Sequence, residues 1–169
     1  SSQPFSRFAL NQSAEHAKKF SQSKLSESDT QLFIKMAEQS HAKQKEIGLI
    51  NQRFLLSEET YDPWESLTDS LKAVEDLKMA VYSAMVDRLD QKVGEVIQKI
   101  ESMGELENTL ILFVSDNGSS AEVVTIPGDG KIGTVGQWTS LGKNWANVSN
   151  TPYRYYKNYS YEGGICTPM

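Results

Sequence analysis

The chain has 169 residues, the size of one domain on the prior of roughly 100–200 residues each. Twenty-two acidic and 17 basic side chains give a net charge of −5 with both signs mixed, so neither a basic stripe for nucleic acid nor a like-charge tail is expected. No apolar run approaches the ~20 residues that span a bilayer, and the single cysteine, Cys166, excludes an internal disulfide. No charged start followed by an apolar core reads as a signal peptide, but the chain opens without methionine, so its true start is expected upstream.

Residues 1–70 are weakly patterned. "PFSRFAL" reads as a short strand and "KKFSQSKLSESDT" as exposed polar chain. In "TQLFIKMAEQSHAKQKEIGLI", Leu32, Phe33, Met36, Ile47 and Ile50 sit at loosely helical spacing and predict a helix. "LSEETYDPWESL" reads as a turn-rich connection broken at Pro63.

Residues 71–103 are the clearest element. Leu77, Val81, Met85, Leu89, Val93 and Ile97 recur every four residues, and Val74, Val86, Val96 and Ile100 widen the stripe. That period predicts an amphipathic helix with one apolar face. Gly104 follows the last turn and suits a C-terminal cap, because glycine takes positive φ at little cost. "NTLILFVS" is then apolar on both faces, the pattern of a central strand in a parallel sheet. Helix, short link and doubly buried strand make half of an α/β repeat. Such a strand needs neighbours on both edges, and the chain offers at most one other. A segment of a larger α/β protein is therefore expected.

The strand runs into Asp116-Asn117-Gly118. Ligand sites in open α/β sheets lie beyond the carboxyl ends of strands. A carboxylate and an amide oxygen are the hard donors that Ca²⁺ or Mg²⁺ prefers. The same three residues are also ordinary turn chemistry, and two ligands are too few for a metal site by themselves. Residues 119–160 read as a long loop region, rich in glycine, asparagine, serine and aromatics. "GDGKIG", Gly128 to Gly133, matches G-x-G-x-x-G but lacks the flanking strand and helix that a dinucleotide site needs. Asn11, Asn117, Asn147 and Asn158 fall in N-x-S sequons, as chance allows in a chain this rich in both residues.

"VYSAMVDRLDQKVGEVIQKI", "NTLILFVSDNG" and "SNTPYRYYKNYSYEGGICTPM", in that order, resemble the formylglycine-dependent sulfatases, most of all the arylsulfatases. The resemblance covers residues 72–118 and 147–169. It implies an alkaline-phosphatase-like α/β/α sandwich of which this chain is a partial segment. Residues 1–70 match weakly, 71–118 hold the helix and metal-site strand, 119–146 form a variable loop, and 147–169 form the sulfate-site segment.

The family roles are carried over at matching positions. Asp116 and Asn117 match the pair that ligates a divalent cation, usually calcium. Lys157 matches the lysine that contacts the sulfate and the leaving oxygen, where a protonated amine would neutralise developing charge. Without the resemblance, Lys157 reads as a surface lysine in cation–π contact with its tyrosine neighbours. His16, in "SAEH", stands near the place of the family's sulfate-contacting histidine but is shifted by one residue and lacks the flanking prolines. It reads equally as an exposed helix residue. His41 matches no motif and is expected on a polar helix face.

The chain also departs from the family. The C/S-x-P-x-R signature that yields the formylglycine nucleophile, and the upstream aspartate pair, are absent from this sequence. Cys166 falls where the family usually has arginine and is expected to be a packed thiol. The implied parent is a sulfuric ester hydrolase acting on small-molecule or glycan sulfate esters, exported by family habit. The 169 residues alone are expected to be inactive. A non-catalytic binding or structural protein derived from a sulfatase is the alternative. A phosphoester hydrolase on the same scaffold is disfavoured by the "SNTPYR…K…EGG" block.

Overall fold

The computed structural model describes residues 32–58 and 60–166. "PFSRFAL" and His16 lie outside them. Four α-helices are described: α1 (Leu32–Glu46), α2 (Asp69–Ser102), α3 (Lys143–Ser149) and α4 (Glu162–Ile165), with 3₁₀ turns at Trp64–Ser66 and Leu106–Asn108. The chain divides into two compact units, and the division falls inside α2, between Val74 and Glu75.

The described part of one unit is residues 32–58, 60–74 and 114–166. Its core is aromatic. Phe33 of α1 meets Trp145 of α3 edge-to-face at 4.7 Å and Trp64 at 5.2 Å, and Tyr61 lies 6.3 Å away. Phe33 and Trp145 are almost fully buried, with Leu32, Ala37, Ala146 and Val148 around them. The expected helix forms at α1 but stops short of Ile47 and Ile50, and its buried residues are Leu32 and Phe33 of the predicted set together with Ala37. Gly48, at φ 76°, lies just past its C-terminal end. Pro63 breaks the connection as expected, preceding the 3₁₀ turn that carries Trp64.

The seven-residue α3 could not stand alone, since short helices gain most of their stability from packing. Its first turn is pinned by Asp62, which accepts from Lys143 Nζ at 2.8 Å and Asn144 Nδ2 at 3.2 Å. The Lys143 hydrogen bond holds the Asp62 carboxyl below its ordinary range, with desolvation opposing and Asn144 adding to the shift. Asn147, 2 % exposed, donates to Thr60 from within the core. Burial closes the sequon there to a glycan in the folded protein.

The described part of the other unit is residues 75–113. Helix α2 ends as expected, with Gly104 at φ 74° and Glu105 N–H donating to the Ile100 carbonyl. Its apolar stripe is covered only in part, with Val81, Val86, Val93, Ile97 and Ile100 half-buried. Leu77, Met85, Leu89 and Val96 are exposed, and the buried residues of the helix are Met79 and Asp90.

The central strand is also corrected. Among the described residues there is no β-strand. Leu110 to Val114 have no ladder partner among the described residues and are exposed, Leu110 at 83 % and Leu112 at 66 %. A strand exists through the ladder that its neighbours complete, and no neighbour is described. The described fold is therefore helical. Phe33→Ala should destabilise the protein by about 3–5 kcal/mol, as expected for deleting a buried aromatic ring. Denaturant unfolding measures this, and a loss under about 1 kcal/mol would contradict the assigned core.

Candidate functional site

The Asp116-Asn117-Gly118 turn is built by its glycine. Gly118 is buried, and a Cβ there would overlap the Gly163 carbonyl oxygen. Its N–H donates to the Gly164 carbonyl at 3.1 Å. Gly163 is equally confined, because its own Cβ would overlap the carbonyls of Arg154 and Tyr155. Glycine at 118 lets the turn approach the Gly163 carbonyl, and glycine at 163 lets that segment approach the Arg154–Tyr155 backbone.

One residue further on, the Ser119 carbonyl accepts from Lys157 N–H at 3.0 Å. The structure thus gathers three of the sequence-predicted pieces around one contact: the Asp116-Asn117 turn, Lys157 and the "EGG" segment. Asp116 is exposed, and Asn117 is half-buried. Asn117 Nδ2 donates to the Gly118 carbonyl at 2.7 Å, which leaves its Oδ1 as an available acceptor. The Asp116 carboxylate and this oxygen are of the hard-donor type that a divalent cation prefers. No group of three or more histidine, cysteine or acidic side chains able to hold a metal occurs among the described residues. Remaining ligands would have to come from elsewhere.

Lys157 does not rest on the tyrosines. Its ammonium lies 3.6 Å from Glu122 Oε2, both side chains being partly exposed. The cation over the rings is Arg154, 4.7 Å from the Tyr155 centroid and 5.5 Å from that of Tyr161. Tyr155 and Tyr159 stack at 4.5 Å, and Tyr156 lies edge-on to Tyr159 at 5.2 Å. Burial raises the Tyr156 hydroxyl above its ordinary value, with Tyr159 adding to the shift. Tyr155 and Asn158 take positive φ, 64° and 81°, so the loop carrying Lys157 is sharply bent on both sides of it.

Glu122 was not singled out from sequence, and its spacing from Asp116 matches no motif read there. It accepts from Asn158 Nδ2 at 3.3 Å and from Ser120 Oγ at 3.2 Å. The Asn158 bond, then the Lys157 charge and the Ser120 bond, hold its carboxyl below the ordinary 4.5 against a smaller desolvation effect. His41 sits on a half-exposed face of α1, and its Nε2 donates to the Phe54 carbonyl at 3.0 Å. Cys166 is corrected: it is an exposed thiol, not a packed one. It follows the last turn of α4 beside Ile165, itself 70 % exposed, and lies within side-chain hydrogen-bond reach of Tyr153. "GDGKIG" is a turn in which Gly130 N–H donates to the Gly136 carbonyl, with neither strand nor helix flanking it.

The family model described as Sulfatase matches residues 8–169. A sulfatase of Schizosaccharomyces pombe, named as uncharacterized, is 33% identical over 142 residues, covering 74% of this chain and 26% of that protein. An arylsulfatase of Klebsiella aerogenes is 31% identical over 155 residues, covering 80% of this chain and 32% of that protein. The N-acetylgalactosamine-6-sulfatase of Mus musculus is 28% identical over 87 residues, 52% of this chain and 13% of that protein. The chain belongs to the sulfatase family. It spans about a quarter to a third of the length of the first two relatives. The family match runs through the 119–146 loop and back to residue 8, wider than the motifs alone mark out.

Two measurements follow from this geometry. Gly118→Ala and Gly163→Ala should each lower stability by about 1–3 kcal/mol, the usual cost of forcing atoms into a filled space. Equal melting temperatures for variant and wild type would contradict the glycine contact. A depressed carboxyl stabilises the folded loop above its ordinary pKa and loses that contribution as pH falls through the lowered value. An NMR titration of Glu122 should therefore give a midpoint below 4.5, returning upward in Asn158→Gly, which keeps the positive φ.

Proposed function

We propose that this chain is the part of a sulfatase catalytic domain that supplies half of a divalent-cation site and the cationic clamp for the sulfate group. The observation that carries the reading is the convergence of the Asp116-Asn117-Gly118 turn with Lys157 through the Ser119 carbonyl. Family membership supports it. The whole protein would be an arylsulfatase-like sulfuric ester hydrolase on an alkaline-phosphatase-like α/β/α sandwich. Its substrates would be small-molecule or glycan sulfate esters. Export to the periplasm, the lysosome or the cell exterior follows from family habit, and no described helix is long and apolar enough to cross a membrane.

Asp116 and Asn117 Oδ1 would hold the cation, with calcium as the expected ion. A bound cation supplies positive charge against the sulfate oxygens, and a formylglycine nucleophile is expected outside this chain. Lys157 would donate its N–H bonds to a sulfate oxygen and to the leaving oxygen, neutralising charge as it develops there. Its present partner does not prevent this. The Lys157–Glu122 pair is open to solvent, and exposed pairs of this kind are weak and easily exchanged. The bent backbone around Lys157 would hold the ammonium at the turn while the side chain changes partner.

The test uses the full-length protein that carries this chain, with p-nitrophenyl sulfate and calcium. Lys157→Ala should lower kcat by about 10²–10³, the range seen when one preorganised transition-state donor is removed. Asp116→Asn should raise the calcium concentration needed for half-maximal activity. Unchanged kinetics in both variants would overturn the assignment. The 169-residue chain alone should not turn over the ester.

A further inference from the structure

We infer that the Asn150 side chain is the positioning residue that holds the candidate metal turn and the lysine loop in register. The inference rests on the site reading above. Asn150 is the residue after α3, and its backbone N–H closes that helix against the Ala146 and Asn147 carbonyls. Its carbonyl accepts from Tyr153 N–H at 2.9 Å. The backbone is thus held from both directions, on a helix whose Trp145 is fully buried.

From this fixed base the side chain reaches three separate segments. Oδ1 accepts from Ser119 N–H at 2.9 Å, in the turn that carries Asp116 and Asn117. Nδ2 donates to the Tyr155 carbonyl at 3.0 Å, two residues before Lys157. The same Nδ2 donates to the Gly163 carbonyl at 2.8 Å, against which Gly118 packs. Both amide protons and the oxygen are engaged, so the group is used at both ends.

No other side chain type of this length does the same. Aspartate would set a negative oxygen against the Tyr155 and Gly163 carbonyls where two donors now stand. Alanine would leave two carbonyls and one N–H without these partners. Ser119 stands between the two halves of the site: its N–H is held by Asn150 and its carbonyl by Lys157 N–H. Releasing it frees the Asp116 turn to shift against Lys157. Misplacement of about 1 Å can cost about 10²-fold in rate.

The experiment compares Asn150→Ala and Asn150→Asp with Asn144→Ala in the full-length protein. Asn144 lies at the other end of α3 and its side chain bonds Asp62, so its loss reports helix stability without touching the site. With p-nitrophenyl sulfate and calcium, both Asn150 variants should lose about 10²-fold in kcat with KM little changed, and Asn144→Ala should stay within about threefold of wild type. Amide hydrogen exchange should accelerate at least about tenfold at Ser119, Lys157 and Gly163 in Asn150→Ala, while α1 amides keep their wild-type rates. If kcat falls equally in Asn144→Ala, or exchange at those three amides is unchanged, the inference is wrong. If exchange accelerates while kcat holds in a protein that Lys157→Ala inactivates, Asn150 is a structural stitch only and the positioning role is overturned. If Lys157→Ala leaves activity intact, the site reading fails instead, and the exchange rates still decide whether Asn150 holds the segments together.

Discussion

The contact of Gly118 with Gly163 is the constraint on which the rest of the site depends. Two backbones lie closer than any side chain would permit, and the Gly118 N–H to Gly164 carbonyl bond closes the approach. That contact places the Asp116-Asn117 turn beside the segment that carries Lys157. Glycine here serves not chain flexibility but close packing: Gly118 admits the Gly163 carbonyl, and Gly163 admits the carbonyls of Arg154 and Tyr155.

The support for this contact is apolar and lies beneath it. Phe33, Trp64 and Trp145 form the core that fixes α3, and α3 ends at Asn150. Polar loops built on such a post can be ordered without being buried. The arrangement is typical of functional loops, whose precision comes from the scaffold below and whose chemistry stays open to solvent. Lys157 and Glu122 show the consequence: a partly exposed pair, held by its surroundings and free to exchange partners.

The exposed apolar surfaces belong to the same account. Leu77, Met85, Leu89 and Val96 of α2, and Leu110 to Val114 after it, are the kind of surface that a larger assembly of elements covers. The chain spans only about a quarter to a third of the relatives that match it over most of its length. The doubly apolar run has no strand neighbour among the described residues, and in the proposed whole protein a sheet would cover it.

Much of this was legible in the sequence. The period of Leu77 to Ile97 determined α2, Gly104 determined where it ends, and Pro63 determined where the preceding connection breaks, because these are local backbone preferences. The ordered motifs from Val81 to Gly118 and from Ser149 to Met169 pointed to the family. Whether the apolar stripe and the "LILFV" run are buried was not legible, since burial depends on neighbours that these residues do not specify. Nor was the exposure of Cys166, or the choice of Arg154 rather than Lys157 over the tyrosine rings. The roles of Asn150 and Glu122 were hidden for the same reason. Each acts on residues brought near by folding, and Asn150 reaches Ser119 across 31 positions of chain. Local sequence sets which elements form; only the tertiary structure decides which side chains meet, because hydrogen bonds are made by distance in space and not by distance along the chain.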